Sequence, residues 1–199
     1  MSARVKLPIH MSVDDFLAWE SGDRRPWQLV DGVPEAMAPT NRTHGALQSR
    51  LASLLDSHFE RRGSPCSVIT APGVIPHVQA RHNVRIPDLG VTCSPYTEEQ
   101  SLLADPVLLV EILSPSNQAE TWSNVWTYTT IPSVREILVL RGASVGAELL
   151  RRQADGTWPP EPLSITDGAL VLESVGLRVP LADIYRTTRL RRTDPPAGS

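Results

Sequence analysis

The chain has almost no lysine. Lys6 is the only one, and every other basic residue is an arginine. A reaction that needs a lysine ammonium group must therefore use Lys6 or a different kind of residue. The net charge of −3 excludes a strongly basic domain that coats nucleic acid with its whole surface. It leaves open an enzyme that contacts nucleic acid through a local patch and a metal ion.

Cysteines and long apolar segments are also scarce. Cys66 and Cys93 are too few for a disulfide framework, and their spacing differs from that of a zinc ribbon. We expect two reduced thiols in the core of a cytoplasmic protein. No segment approaches the roughly 18 apolar residues of a transmembrane helix, and no signal-peptide pattern follows Met1. We therefore expect no membrane partner.

The length of 199 residues suits one domain with a sizeable core. We predict a single domain over residues 1–185. The remaining residues, 186–199, are polar and end in Asp-Pro-Pro-Ala-Gly-Ser, which is typical of a flexible C-terminal tail.

The order of the predicted elements favours an α/β fold with a mixed central β-sheet flanked by α-helices. A short N-terminal helix begins at Ser12, and a hairpin with the turn Asp31-Gly32 follows it. Two longer helices are predicted over 43–61 and 118–130. The principal strands are predicted over 66–70, 84–92, 106–113, 134–140 and 147–152, and smaller elements close the domain at 163–165, 169–173, around 177 and at 181–185.

An acidic residue interrupts the most hydrophobic segment of the chain. Glu111 lies within Leu-Leu-Val-Glu-Ile-Leu, which we predict to be a buried central strand. An ionised carboxylate is costly there unless it is paired or coordinates a metal. Glu111 therefore either faces solvent or pairs with an arginine, or it is a metal ligand or an acid–base group.

A second acid, Asp88, follows Arg85-Ile-Pro in the strand predicted over 84–92. Neighbouring strands lie about 4.8 Å apart, so carboxylates on the same face of adjacent strands can share one cation. Asp88 and Glu111 are thus candidate ligands of one Mg²⁺ or Mn²⁺ ion. The alternative for a Pro-Asp pair is an Asx turn.

Two further residues could complete such a site. His44 lies at the start of the long helix, where its imidazole could bind a metal, orient a water or contact phosphate, or simply occupy a helix start. Gln28 lies on the first hairpin strand, where an acid would be the better ligand and an amide oxygen is the poorer one.

The helix predicted over 118–130 carries Trp122, Trp126 and Tyr128. These rings could stack on nucleic-acid bases. Their helical spacing favours packing in the core instead.

Five segments occur in an order that resembles a known family. They are Gln28-Leu-Val-Asp-Gly32, Pro39 to His44, Arg85-Ile-Pro-Asp88, Leu109-Val-Glu-Ile-Leu-Ser-Pro115, and Tyr128 followed by Ile131 to Leu138. Together they resemble the Uma-two family of restriction-endonuclease-like proteins, within the PD-(D/E)xK nuclease superfamily. The resemblance covers about residues 12–150.

The resemblance implies a restriction-endonuclease-like fold and a magnesium-dependent site that hydrolyses phosphodiester bonds of DNA. Asp88 and Glu111 match the superfamily's two acids and would hold the cation. His44 matches the family's histidine near the helix start. A homodimer would suit the cleavage of both strands.

Two features of the family pattern, a glutamate and a lysine, are missing here. Gln28 stands where the family usually has glutamate. The two positions used for the superfamily's lysine are Leu113 and Asn124 here. Arg85 could supply positive charge, but its guanidinium is not equivalent to an ammonium point charge. We therefore expect a weakened metal-dependent endonuclease, or else a catalytically degenerate module that binds nucleic acid or serves in assembly.

Overall fold

The computed structural model describes residues 10–23, 25–97, 100–114 and 117–192, without the side chains of 191 and 192. Lys6 and residues 193–199 of the predicted tail lie outside this part of the chain. The elements are α1 (Val13–Leu17), β1 (Trp27–Val30), β2 (Val33–Ala36), α2 (Arg42–Arg62), β3 (Ser67–Thr70), β4 (Leu89–Thr92), β5 (Pro106–Leu113), α3 (Gln118–Tyr128), β6 (Glu136–Arg141), β7 (Ala147–Arg151), β8 (Leu163–Ile165), β9 (Ala169–Leu172), β10 (Leu177–Pro180), α4 (Leu181–Ile184) and a 3₁₀ helix over Arg189–Arg192.

Strands β3 to β8 form one six-stranded sheet in chain order. Only β5 and β6 are parallel, and the other neighbours are antiparallel. The β5–β6 connection contains α3, as a parallel connection requires. This arrangement confirms the predicted mixed sheet flanked by helices.

Alternate residues of β5 pack against different helices. Leu108, Val110 and Ile112 lie in one core with α2, whereas Leu109 lies in a second core with Val125 and Tyr128 of α3. Successive side chains of a strand point to opposite faces. The helices therefore cover opposite faces of the sheet, and Glu111, two residues after Leu109, is on the α3 face.

The first turn of α2 is fixed by a side-chain cap. Asn41 accepts a hydrogen bond of 3.0 Å from the backbone N–H of His44, which satisfies one of the free donors of the helix start. The helix ends at Gly63, whose φ of 58° is left-handed. The helix predicted over 43–61 is confirmed and extends one residue further at each end, and His44 is held at the buried start of α2.

The strand predicted over 84–92 is too long. Only 89–92 is a strand, and Val84 and Arg85 form isolated bridges with Leu29 and Val74. Pro87 lies between the two parts. It has no N–H to donate and is poorly suited to a strand interior.

The predicted packing face of α3 is also wrong in part. Its buried residues include Thr121, Asn124 and Tyr128, whereas Trp126 is 42% exposed. The helix is turned towards the polar centre around Glu111, so hydrophobicity alone misplaced the face. Tyr128 packs in the core as predicted.

The expectation of two reduced thiols is wrong, because the structure contains a Cys66–Cys93 disulfide. Cys66 precedes β3 and Cys93 follows β4. The antiparallel register pairs Ser67 with Thr92, and continuing that register by one residue brings the two cysteines opposite each other. The spacing in sequence could not reveal this register.

Ordered structure continues past the predicted domain end at residue 185. Thr188 is buried, and Leu190, in the 3₁₀ helix, packs against the larger core. Among the described helices, none is long and apolar enough to cross a membrane. The cytoplasmic location stays a prediction.

Candidate functional site

Asp88 and Glu111 lie opposite each other at the junction of β4 and β5. Leu89 pairs with Val110 in antiparallel register. Asp88 precedes Leu89 and Glu111 follows Val110, so the same register aligns the two acids. The negative charge of Asp88 acts on the Glu111 carboxyl, so the two side chains are close enough to interact. The structure thus brings together the two acids that the sequence singled out.

Both oxygens of the Asp88 carboxyl have hydrogen-bonding partners. Oδ1 lies 2.6 Å from His44 Nε2, and Oδ2 accepts a hydrogen bond of 2.7 Å from the Ile112 backbone N–H. The Asp88 carbonyl accepts a further bond from Gln48 of α2. These contacts hold the carboxyl in one orientation and place His44 next to the acid pair.

The Glu111 carboxyl is 7% exposed and accepts a 2.7 Å hydrogen bond from the Tyr128 hydroxyl. Burial raises the pKa of Glu111 well above its ordinary value, and the negative charge of Asp88 raises it further. The Tyr128 hydrogen bond opposes this shift. Without a cation, the protonated form of the Glu111 carboxyl is therefore favoured.

One face of α3 presents three polar residues to this region at intervals of four. They are Glu120, Asn124 and Tyr128, and such spacing places side chains on the same helix face. Asn124, at the position that matches the family's lysine, is buried. It lies one helical turn from Glu120, which contacts Gln28, and one turn from Tyr128, which contacts Glu111.

Gln28 joins the site through Glu120 and not through the acid pair. Its Nε2 donates a 3.0 Å hydrogen bond to Glu120 Oε1. Its Oε1 is buried and has no hydrogen-bond partner among the described residues. Sequence reasoning missed Glu120. Its position eight residues before Tyr128, on the same helix face, was the available signal.

The donor set suits a hard divalent cation. No group of three or more His, Cys, Asp or Glu side chains is arranged as a metal site within the described residues. Mg²⁺ usually needs only one or two carboxylates, because waters and substrate phosphates complete its shell. Asp88 and Glu111 meet that requirement, and the unpaired oxygen of Gln28 is a further neutral donor in the same region.

Comparisons with known proteins identify the family of this chain. A family model described as "Uma2: Putative restriction endonuclease" matches residues 13–182. The chain belongs to the Uma2 family. An uncharacterized protein of Synechocystis sp. is 29% identical to this Uma2 chain over 178 residues, which are 88% of the chain and 92% of the relative.

A solved structure shares the fold. It is the crystal structure of a putative nuclease belonging to DUF820 from Anabaena variabilis. The TM-score is 0.71 at 17% identity, over 90% of the Uma2 chain and 98% of the other. At this identity the likeness establishes the fold alone, and it confirms the predicted fold class.

Proposed function

We propose that this Uma2 protein is a metal-dependent endonuclease that hydrolyses DNA phosphodiester bonds with Mg²⁺ or Mn²⁺ held by Asp88 and Glu111. The observation that carries the proposal is the meeting of these two carboxyl groups in the protein interior. Two adjacent buried acids destabilise each other when both are ionised. Buried acids with a perturbed pKa, such as Glu111, are concentrated at functional sites.

The surrounding residues have roles that their contacts define. His44 and the Ile112 N–H orient the Asp88 carboxyl, and Tyr128 orients that of Glu111. Partners of this kind fix ligand geometry and strengthen metal binding. When bound, a divalent cation would polarise a phosphoryl oxygen and lower the pKa of a coordinated water.

We expect cleavage to be slow, because Leu113 and Asn124 occupy the two positions used for the superfamily's lysine. Asn124 can donate a hydrogen bond from its amide, but it carries no charge. Loss of one donor that stabilises developing charge commonly lowers a rate by about 10²–10³-fold. A weak activity is therefore the expected result for the native chain.

Cleavage of supercoiled plasmid tests the proposal. We expect nicked and linear products with Mg²⁺ or Mn²⁺ and none with EDTA. Asp88→Asn and Glu111→Gln remove a ligand charge with little change in size, and each should abolish cleavage. Asp56→Asn, at an exposed position of α2, is the matched control and should cleave like the native protein. Cleavage that persists in the Asp88→Asn, Glu111→Gln double variant would refute the proposal.

A second candidate function is favoured by the residues at positions 28 and 124. Gln28 is bonded to Glu120, and Asn124 replaces a charged residue, so the chain could be a non-catalytic module that binds nucleic acid or serves in assembly. DNA binding without any Mn²⁺ binding at millimolar concentration would support this alternative. Mn²⁺ binding that requires Asp88 would support the nuclease.

A further inference from the structure

Arg85 is a buried cation for which the described residues supply no partner. The residue is 5% exposed. Its backbone N–H and C=O are both hydrogen-bonded to the backbone of Val74. Within the described residues, its guanidinium has neither a hydrogen bond nor an ion pair, and Nε is fully buried without an acceptor. Buried charges are normally paired, so this one is an exception that requires an explanation.

Other buried or half-buried arginines of the chain do have partners. Arg151 pairs with Glu136 at 2.7 Å, Arg141 pairs with Glu148, and Arg152 donates to the carbonyls of Thr129 and Ile131. Arg152 also has a buried Nε without a partner, but its Nη2 is satisfied by these two carbonyls. Arg85 differs from these arginines because no nitrogen of its guanidinium has a partner among the described residues.

Arg85 lies near Tyr128, the residue that contacts Glu111 of the acid pair. Arg85 lies three residues before Asp88, and its charge acts on the hydroxyl of Tyr128, which donates to Glu111. The carboxylates of Asp31, Glu35 and Glu120 also act on Arg85, yet none of them forms an ion pair with it. They attract the guanidinium without occupying its hydrogen-bonding groups.

An anion with several oxygens is the ligand that this group lacks. Burial lowers the pKa of Arg85, but an arginine retains its charge throughout the physiological range. The planar guanidinium matches two oxygens of a phosphate group in a bidentate arrangement. A bound phosphate would supply both the missing charge and the missing acceptors.

We propose that Arg85 is the phosphate-binding residue of this site and that it supplies the positive charge absent from Leu113 and Asn124. Identification of that phosphate as the one to be cleaved rests on the proposed nuclease function. The binding of phosphate by Arg85 does not depend on it. Arg85 would act by neutralising the phosphate oxygens, and no proton transfer is assigned to it.

Binding measured without metal tests the proposal directly. The probes are inorganic phosphate and a fluorescent DNA duplex in EDTA, with affinity measured by titration. Arg85→Gln should weaken both affinities about ten- to hundredfold, which is the range for one lost charge-assisted contact. Arg178→Gln, at an exposed position of β10, is the matched control and should change them less than twofold.

Thermal unfolding separates binding from a structural role. If Arg85 serves phosphate, Arg85→Gln should raise the melting temperature without anion, because it removes an unpaired buried charge. It should also reduce the stabilisation that phosphate gives. A lowered melting temperature with unchanged affinities would overturn the proposal. Should Arg85→Gln fail to fold, Arg85→Lys decides, since loss of the bidentate fork should still weaken phosphate binding, and an unchanged affinity would refute it.

The outcomes also distinguish this inference from the proposed function. Metal-dependent cleavage that requires Asp88, together with unchanged phosphate and DNA affinity in Arg85→Gln, would refute the role of Arg85 alone. Phosphate and DNA binding that requires Arg85, without any metal-dependent cleavage, would refute the nuclease and support the anion site. A native protein that binds neither probe would refute the role of Arg85.

Discussion

Tyr128 and Glu111 are joined by a 2.7 Å hydrogen bond between two buried side chains. Glu111 lies within the central strand β5, and Tyr128 is the last residue of α3, so the bond fixes the helix to the sheet at the candidate site. The same bond lowers the pKa of Glu111, against the larger effects of burial and Asp88. One hydroxyl thus contributes to both stability and ionisation.

Tyr128→Phe should separate those two contributions. The variant leaves a buried acceptor unsatisfied, and we expect the free energy of unfolding to fall by about 1–3 kcal/mol. Because the lost bond favoured the ionised carboxylate, the pKa of Glu111 should rise further. The pH midpoint of Mn²⁺ binding, measured by titration calorimetry, should therefore move upwards.

Tyr185→Phe is the control for this change. The Tyr185 hydroxyl is also buried and donates to the carbonyls of Arg141 and Gly146, so its loss should destabilise the fold without moving the pH midpoint. Equal midpoints for Tyr128→Phe and Tyr185→Phe would show that Tyr128 does not tune Glu111.

The raised pKa of Glu111 predicts a pH dependence of stability in EDTA. Below the ordinary glutamate pKa of 4.5, the carboxyl is protonated in both the folded and unfolded chain. Above that pH the unfolded chain releases the proton and the folded chain retains it. Glu111 should therefore lower the free energy of unfolding by up to about 1.4 kcal/mol per pH unit, until the pH passes its folded pKa.

Urea denaturation of the native protein and Glu111→Gln over pH 4–8 measures this contribution. The native protein should lose stability relative to the variant as the pH rises, because glutamine does not titrate. Parallel pH profiles for the two proteins would contradict the raised pKa. Saturating Mn²⁺ should restore stability to the native protein and not to Glu111→Gln.

Asn124→Lys tests the cost of the missing lysine. Asn124 is buried on the same face of α3 as Glu120 and Tyr128, so a lysine there would reach the acid pair. We expect plasmid cleavage to accelerate at least about tenfold, a part of the 10²–10³ that one charge-stabilising donor contributes. Ser123→Lys adds the same charge at an exposed neighbouring position and should have a far smaller effect. Similar rates for both variants would indicate non-specific attraction of DNA.

The Cys66–Cys93 disulfide should stabilise the chain measurably. It closes a loop with a sequence separation of 27, for which the chain-entropy model gives about 3–4 kcal/mol. A reducing agent should lower the melting temperature of the native protein and leave that of the Cys66→Ser, Cys93→Ser variant unchanged. Two titratable thiols in the non-reduced native protein would instead restore the expectation of free cysteines.

Local patterns predicted much of the fold. The helix start at Ser12, the Asp31-Gly32 turn and the apolar run at 106–113 are each determined by neighbouring residues, and the structure contains all of them. The buried face of α3 and the disulfide depended on long-range contacts. Neither the orientation of α3 towards Glu111 nor the register of β3 with β4 can be obtained from local sequence.

The candidate site was predictable to a similar degree. Glu111 stood out because a carboxylate in an apolar strand conflicts with its surroundings, and Asp88 stood out beside it. Glu120 lies on an ordinary polar helix face, and the unpaired state of Arg85 is a property of tertiary packing. Neither had a distinctive signal in the sequence.

The proposed nuclease function requires Asp88 and Glu111 to bind one divalent cation between them. An anomalous difference map from a crystal soaked in Mn²⁺ tests it most directly. We expect one strong peak within coordination distance of a carboxylate oxygen of each residue, absent from Asp88→Asn crystals. A map with no peak there, or with a peak that contacts neither acid, would contradict it.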